Sequence, residues 1–520
     1  MNENPLRLGP IVGHTDTSSS RVWIHVDGVL DGWRLVVEGF APVPFAATHP
    51  QNEFCTGLAA ITGLQPDQTY DYSIEKDEVW LAGGRIRTMP VAALADAIDF
   101  VTLSCDDDRE PNAWQRLYER IEERPPRFIL MVGDQTYADE GEEDLWQMHL
   151  DSPPEERRQA FVRKYEKLWA IEPIRTIMAS VPIYMTWDDH DIRDGWGSFA
   201  ADSATLAAQS PEAQAIHDRY YAYFADAADA YFHFQACRNP GEALAESKAR
   251  PFAFRCGRLL MVVLDSRGGR DFARPELPVS GPEQWQWIEE LVAGIPDDVD
   301  AIGVATAVPI VDLDPEGRVH RFFKDRTDDI DRLAEGDAER VDELLYKRDN
   351  PLSGFASLIA GFTVDSDFKV AKALGFRVSD LDDVRDKWSY GGNRAEQERL
   401  LRTFARACFE GRPAGKPRSL FFLGGDIHVG AVFNIDFAEP AMRASCVVTS
   451  GIAKNAPIPE VKGVLVDEDF EVAPGIHAEL DSVVNKVNFA ETRVVFGAGT
   501  AEVSSAIVTP EDEEEAPQAD

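Results

Sequence analysis

After residue 100 the chain repeats one unit, a short apolar run that in several cases stops on a carboxylate or a small polar group. The runs are FVTLS at 100–104, RFILMVGD at 127–134, PIYMTWDD at 182–189, LLMVVLDS at 259–266, AIGVA at 301–305 and SLFFLGGD at 419–426. A half-exposed strand alternates apolar and polar residues, whereas these runs barely alternate, so they predict strands covered on both faces. Between them lie helical candidates at 155–170, 211–225, 282–294 and 395–409. Such alternation, with acidic residues at strand ends, predicts a layered α/β domain whose chemistry gathers at one edge of its sheets.

The first ninety residues follow a different pattern. Short β-like segments at 21–26, 33–40, 56–64, 69–74 and 85–90 alternate with turns and predict a small all-β domain. The turn Leu64-Gln-Pro-Asp-Gln-Thr-Tyr70 precedes a strand carrying Tyr70 and Tyr72, an arrangement like the end-of-sandwich turn of fibronectin-type domains, and both tyrosines read as structural. The expected organisation is a β-sandwich domain over 1–92, a second domain over 98–508 and a disordered acidic tail over 509–520. Within the second domain, 312–395 reads as a charged helical insertion, and 442–451, 463–472 and 492–499 read as strands.

Charge narrows the partners. Lys and Arg total 52 against 91 Asp and Glu, a formal net charge of −39, which disfavours nucleic acid and anionic membrane surfaces. No run approaches 18 uncharged apolar residues, so no membrane span is expected. The six cysteines, Cys55, Cys105, Cys237, Cys256, Cys408 and Cys446, form no CxxC pair and fit a reducing compartment. The start, MNENPLRLGPIVG, lacks the basic and apolar regions of an export signal. The expectation is a soluble, cytoplasmic protein, monomeric or a small homo-oligomer, or a secreted or periplasmic one if a signal has been removed.

Four strand-end motifs concentrate the chemistry: Ser104-Cys105-Asp106-Asp107-Asp108, Gly133-Asp134-Gln135-Thr136-Tyr137-Ala138-Asp139, Trp187-Asp188-Asp189-His190-Asp191 and Gly424-Gly425-Asp426-Ile427-His428. Singly, each reads as a helix cap or a solvated surface. Together their carboxylates repel unless a cation joins them, so a metal centre is expected. Carboxylates with few histidines and a phenol suit Fe, Mn, Ca or Mg better than a structural zinc site. Asp134, directly after Gly133, is the expected bridge between two ions, with Tyr137 turned back onto one of them. His217 and His233, in helical sequence, read as core or surface residues.

In this order, GDQTYAD, WDDHD and GGDIH resemble the PhoD-like alkaline phosphatases, a branch of the calcineurin-like metallophosphoesterases related to the purple acid phosphatases. The resemblance implies an N-terminal β-sandwich followed by a four-layer α/β/β/α metallophosphoesterase domain with helical insertions. It implies that Cys105 or Asp106 faces the first metal, that Asp134 bridges and that Tyr137 binds the first metal. Asp189 takes the place of a superfamily asparagine, His190 that of the catalytic histidine, and Asp194 that of a ligating or site-lining asparagine. Asp426 and His428 become late metal ligands, and Arg267, in Leu264-Asp265-Ser266-Arg267, would lie near the phosphate. Asp386-Lys387-Trp388 and Thr449-Ser450-Gly451 would border the same pocket. The implied cofactors are two ions, Fe(III) with Ca(II) or another divalent cation such as Mn, Mg or Zn. One departure stands out: AIGVATAVPI at 301–310 lacks the superfamily's histidine after its fourth strand, and His320 lies far on. The second metal is then held by fewer nitrogen ligands.

The expected activity is hydrolysis of phosphate monoesters or diesters by a metal-activated hydroxide, acting on a small ester rather than a polyanion. His190 would serve the phosphate or leaving group, with Asp191 or Asp188 orienting its other nitrogen and Arg267 pairing with non-bridging oxygens. The competing reading is a non-catalytic calcium-binding or adhesion protein. A structural calcium site has no use for His190 or Arg267, which separates the two.

Overall fold

The computed structural model describes residues 5–50, 53–109, 112–241, 243–245, 247–313, 385–454 and 468–511. Apart from its two ends, the helical insertion expected at 312–395 lies outside the described residues, as do His320, residues 463–467 and the tail from 512 onward.

Among the described residues the strands form four sheets. Two belong to the first ninety residues. One runs in the order Leu6–Thr15, Ser19–Val26, Thr56–Thr62 and Ala46–Ala47, the other in the order Val43–Pro44, Trp33–Val37, Thr69–Lys76 and Val79–Arg87. Val22, Ile24 and Ile61 of the first share a core with Trp33, Leu35 and Ile74 of the second. The expected turn is present, with Gln65 N–H donating to the Tyr70 hydroxyl at 2.9 Å. Tyr72 donates instead to the Ala179 carbonyl at 2.9 Å, and Trp23 Nε1 to the His233 carbonyl at 2.8 Å. These contacts fasten the first sheets to the helices that follow. The strand Ala97–Leu103 follows the first sheets in the chain.

The other two sheets explain the apolar runs. A five-stranded sheet pairs Ala97–Leu103, Ile129–Val132 and Ile183–Thr186 in parallel, and Phe489–Phe496 and Ala501–Val508 extend it. An eight-stranded sheet contains Leu259–Val263, Ala301–Ala305, Ser419–Gly424 and Met442–Val448 as parallel neighbours. Side chains alternate between two cores. Phe100, Leu130, Val132 and Tyr184 face Phe254, Met261, Val263 and Phe421 across the gap between the sheets. Val101, Leu103, Ile129, Met131 and Met185 face outward onto Phe161, Tyr165, Trp169 and Phe224. On the far side of the second sheet, Val262, Val304, Leu420 and Phe422 pack with Trp285, Ile288, Leu400 and Phe404. Each run is therefore apolar on both faces because each face is covered, at about 1.5–3 kcal/mol per large side chain buried.

The covering helices are Pro154–Trp169, Pro211–Phe234, Gly281–Ala293 and Arg394–Ala407. The second outruns its expected end at 225 because Ala227, Ala228, Ala230, Tyr231 and Phe234 continue the buried face. None of the described helices is long and apolar enough to cross a membrane.

Candidate active site

Parallel pairing puts the carboxyl ends of each sheet's strands on one edge, and cross-sheet bonds join the two edges. Ser104 Oγ donates to the Thr449 carbonyl at 2.8 Å, and Trp187 Nε1 to Asp265 Oδ1 at 2.8 Å. Glycine permits the closeness. A Cβ on Gly425 would lie 2.4 Å from Ser104 Oγ and 2.6 Å from the Val132 carbonyl oxygen, and one on Gly133, at φ +92°, 2.6 Å from Asp188 Cβ. The residues that turn inward have left-handed backbones: Cys105 at φ 57°, Asp134 at 53°, Asp426 at 68° and His428 at 55°. Four non-glycine residues in this uncommon region at one sheet edge mark a site whose geometry overrides backbone preference.

Three groups of candidate ligands interlock there: Cys105, Asp134 and His428; Asp134, Asp189 and His190; and Asp188, Asp189 and Asp426, each with ligand atoms within 4.8 Å of one another. Asp134 and Asp189 are shared between groups. Cys105 Sγ lies 3.5 Å from Asp134 Oδ2, and the Tyr137 hydroxyl lies 3.1 Å from the same oxygen and 3.0 Å from His428 Nε2. Ser450 Oγ accepts from His428 N–H at 2.6 Å and sits 3.0 Å from Cys105 Sγ, fixing both from the Thr449-Ser450-Gly451 turn. Asp134 Oδ1 and Asp188 Oδ2 are buried with no hydrogen-bond partner, and Asp189 Oδ1 has none beyond an ion pair with Arg267 Nη2 at 3.4 Å. Orphaned carboxylate oxygens of this kind are costly without a cation and fit a metal well.

The electrostatics agree. Burial raises Asp134 to about 6 and, with Asp188 and Asp189 nearby, holds Asp426 well above the carboxylate range. Burial also raises Asp188 well above that range, while in Asp189 Arg267 and His190 overcome burial and bring the value to about 2. Burial, then Lys454 and His190, lowers His428 to about 3, which keeps its imidazole neutral and able to ligate.

Other assignments shift. Asp191 does not orient His190. It accepts the Asp188 N–H at 2.9 Å and Gln235 Nε2 at 2.8 Å, closing the one-turn helix Asp189–Asp191 from beneath. The partner of His190 Nδ1 is Asp139 Oδ1 at 2.8 Å, while Asp139 Oδ2 accepts the Asp194 N–H at 2.7 Å. Nor does Asp188 serve His190, since it pairs with Arg267. Asp194 reaches only to 4.0 Å from His190 Nε2 and stands at the more exposed lip. Of the pair Cys105 and Asp106, only Cys105 falls in a ligand group; Asp106 Oδ1 accepts Trp114 Nε1 at 2.7 Å, and its Oδ2 is buried with no hydrogen-bond partner.

Arg267 is not an open clamp. Its side chain is 0% exposed, and its N–H groups serve Asp188, Asp386 and the Trp196 carbonyl. It is the counter-charge beneath the carboxylates, and Asp386 borders the site through it. The cation over the Tyr137 ring is Lys454, unmarked in the sequence, with Nζ 2.9 Å from the ring centre and 3.0 Å from Glu140 Oε2, while Lys164 Nζ donates to the Tyr137 carbonyl at 2.9 Å. Asp139 was legible as the last residue of GDQTYAD. Lys454 offered only its place three residues after Thr449-Ser450-Gly451. His217 and His233 are buried in the core, as expected.

Comparison with known proteins now decides the family. The profile of the PhoD-like phosphatases matches residues 100–486. The chain belongs to the PhoD-like phosphatase family. A solved structure of PhoD is similar at 14% identity and a TM-score of 0.60, covering 97% of this chain and 90% of that one. A purple acid phosphatase from yellow lupin seeds is similar at 11% identity and a TM-score of 0.49, over 95% of this chain and 71% of that one. Among curated proteins, none matches. This PhoD-like phosphatase is a hydrolase of phosphate esters, and its activity depends on metal.

Proposed function

We propose that the chain holds two metal ions at the joined sheet edges and hydrolyses small phosphate esters there. The observation that carries this is the interlocking of three ligand groups through Asp134 and Asp189. Cys105, Asp134, Tyr137 and His428 would hold one ion, and their thiolate and phenolate donors suit Fe(III). Asp188, Asp189 and Asp426, with Asp134 shared, would hold a second, harder ion such as Ca(II), Mn or Mg. Such ions, when bound, supply Lewis acidity toward the ester and a more acidic water.

The protein's own residues then position and protonate. Although burial opposes it, Asp139 and Asp189 raise His190 well above the ordinary imidazole range, which favours the protonated form a proton donor needs. Its Nδ1 is committed to Asp139, which leaves Nε2 for the phosphoryl or leaving-group oxygen. Arg267 pairs with Asp188, and Gly195 N–H donates to Asp189 Oδ2 at 2.7 Å, fixing these two carboxylates from behind.

Other parts of the reading have support of their own. The shared core of the first two sheets supports a β-sandwich over 1–92, and three successive cores support four α/β/β/α layers over 98–508. Six unpaired cysteines support a reducing compartment such as the cytoplasm. The test is turnover of p-nitrophenyl phosphate and bis-p-nitrophenyl phosphate by metal-loaded wild type and His190→Ala, with metal content measured in both. Loss of turnover at unchanged metal content is expected. Equal turnover in the variant would refute the role of His190.

A further inference from the structure

Arg267 is buried and fully engaged, which leaves open the side-chain group that acts beside His190 and the proposed metals on an entering phosphate. We propose that Lys454 is that group, a substrate-positioning cation that leaves Glu140 for the phosphoryl oxygens and favours dianionic monoesters over monoanionic diesters. The inference rests on the phosphoesterase reading above.

Lys454 is 7% exposed and follows the strand Met442–Val448 through the turn Thr449-Ser450-Gly451. That turn is pinned. Gly451 stands at φ +100°, where a Cβ would lie 1.6 Å from the Lys454 carbonyl oxygen, and Ala453 N–H donates to the Cys105 carbonyl at 3.4 Å. The ammonium therefore reaches Tyr137 from a backbone tied to the ligand cluster. Its Nζ sits 2.9 Å from the Tyr137 ring centre, and the Tyr137 hydroxyl in turn meets Asp134 and His428. The Lys454 ammonium and that hydroxyl thus meet on one side chain beside the ligand cluster.

What Lys454 holds now is replaceable. Glu140 Oε2 at 3.0 Å and Asp107 Oδ2 at 3.9 Å are its carboxylate partners, and Arg109 bridges the same two acids. When Lys454 turns to an anion, Arg109 remains paired with both Glu140 and Asp107. The tether is thus pre-arranged for exchange: one carboxylate–ammonium pair is given up for a phosphate–ammonium pair beside the metal cluster. A monoester brings one more negative charge than a diester, so it gains more from the extra cation.

The test is Lys454→Met and Glu140→Gln in metal-loaded protein, with both ester assays, metal content, and binding of inorganic phosphate by calorimetry. In Lys454→Met, kcat/KM for the monoester should fall about 30-fold, equivalent to about 2 kcal/mol, while the diester falls about threefold or less. Phosphate should bind more weakly to Lys454→Met and more tightly to Glu140→Gln, in which the lysine keeps only its more distant carboxylate partner, Asp107. An equal fall for both esters, unchanged phosphate affinity, or a loss of metal in Lys454→Met would overturn the proposal. If loaded wild type hydrolyses neither ester, the phosphoesterase reading itself fails, an outcome separate from these.

Discussion

The Asp139–His190 pair offers the sharpest test of the site, through Asp139→Asn. Each Asp139 oxygen has one job: Oδ1 accepts from His190 Nδ1 at 2.8 Å and Oδ2 accepts the Asp194 N–H at 2.7 Å. Asparagine has one oxygen and one NH2 group, so it can satisfy only one of the two. Turned toward His190, the oxygen leaves the NH2 group facing the Asp194 N–H; turned the other way, it meets Nδ1 with a donor and forces the proton off that nitrogen. Either orientation also removes the negative charge. A lost charge-assisted hydrogen bond of about 1.5–3 kcal/mol corresponds to a fall of roughly 10- to 150-fold in kcat/KM.

The pH profile should move as well. Burial alone would lower the His190 pKa, and Asp139 is the leading group that raises it. Without that carboxylate the protonated form is lost at lower pH, so the basic limb of kcat shifts to lower pH. Metal content should be unchanged, because Asp139 belongs to none of the ligand groups. Steady-state rates on p-nitrophenyl phosphate across pH, with metal analysis of the same samples, make the measurement. Full activity with an unmoved basic limb would refute His190 as the proton donor held by Asp139.

Two further outcomes are expected. Cys105→Ser should lower metal content, whereas Asp106→Asn should not, because Asp106 turns to Trp114; equal metal loss in both would refute the separation. Burial, reinforced by His49, lowers His233 to about 3, so the folded state binds fewer protons than the unfolded one, and stability present above pH 6.5 is lost as pH falls toward 3. At pH 5 the loss is about 2 kcal/mol. Thermal unfolding at pH 7.5 and pH 5 should therefore show a smaller acid decrement in His233→Asn than in wild type, and equal decrements would contradict it.

Much of the fold was legible because the buried strands have no polar alternation to hide them. The strands Gly430–Phe437, Ile476–Val484 and Ala501–Val508 escaped notice, since their burial alternates and polar residues such as Asn434, Glu479 and Ser504 interrupt the apolar signal. At the site, the residue types and strand-end positions of Asp134, Tyr137, Asp189, Asp426 and His428 were readable, because a strand end delivers its next residues to a known edge. What failed was any inference from nearness in sequence. Asp191 follows His190 directly, yet the helical turn Asp189–Asp191 points its carboxylate back at its own backbone, and Asp139, 51 residues earlier, takes the imidazole. Arg267 looked like a free anion clamp because its main partner, Asp386, is 119 residues away. Whether a buried arginine is a clamp or a counter-charge depends on which carboxylates the fold brings to it, a property of the folded pair rather than of the motif. By the same logic, Lys454 suits the role proposed for it because its carboxylate partners Glu140 and Asp107 are less buried than the Asp188 and Asp386 that hold Arg267.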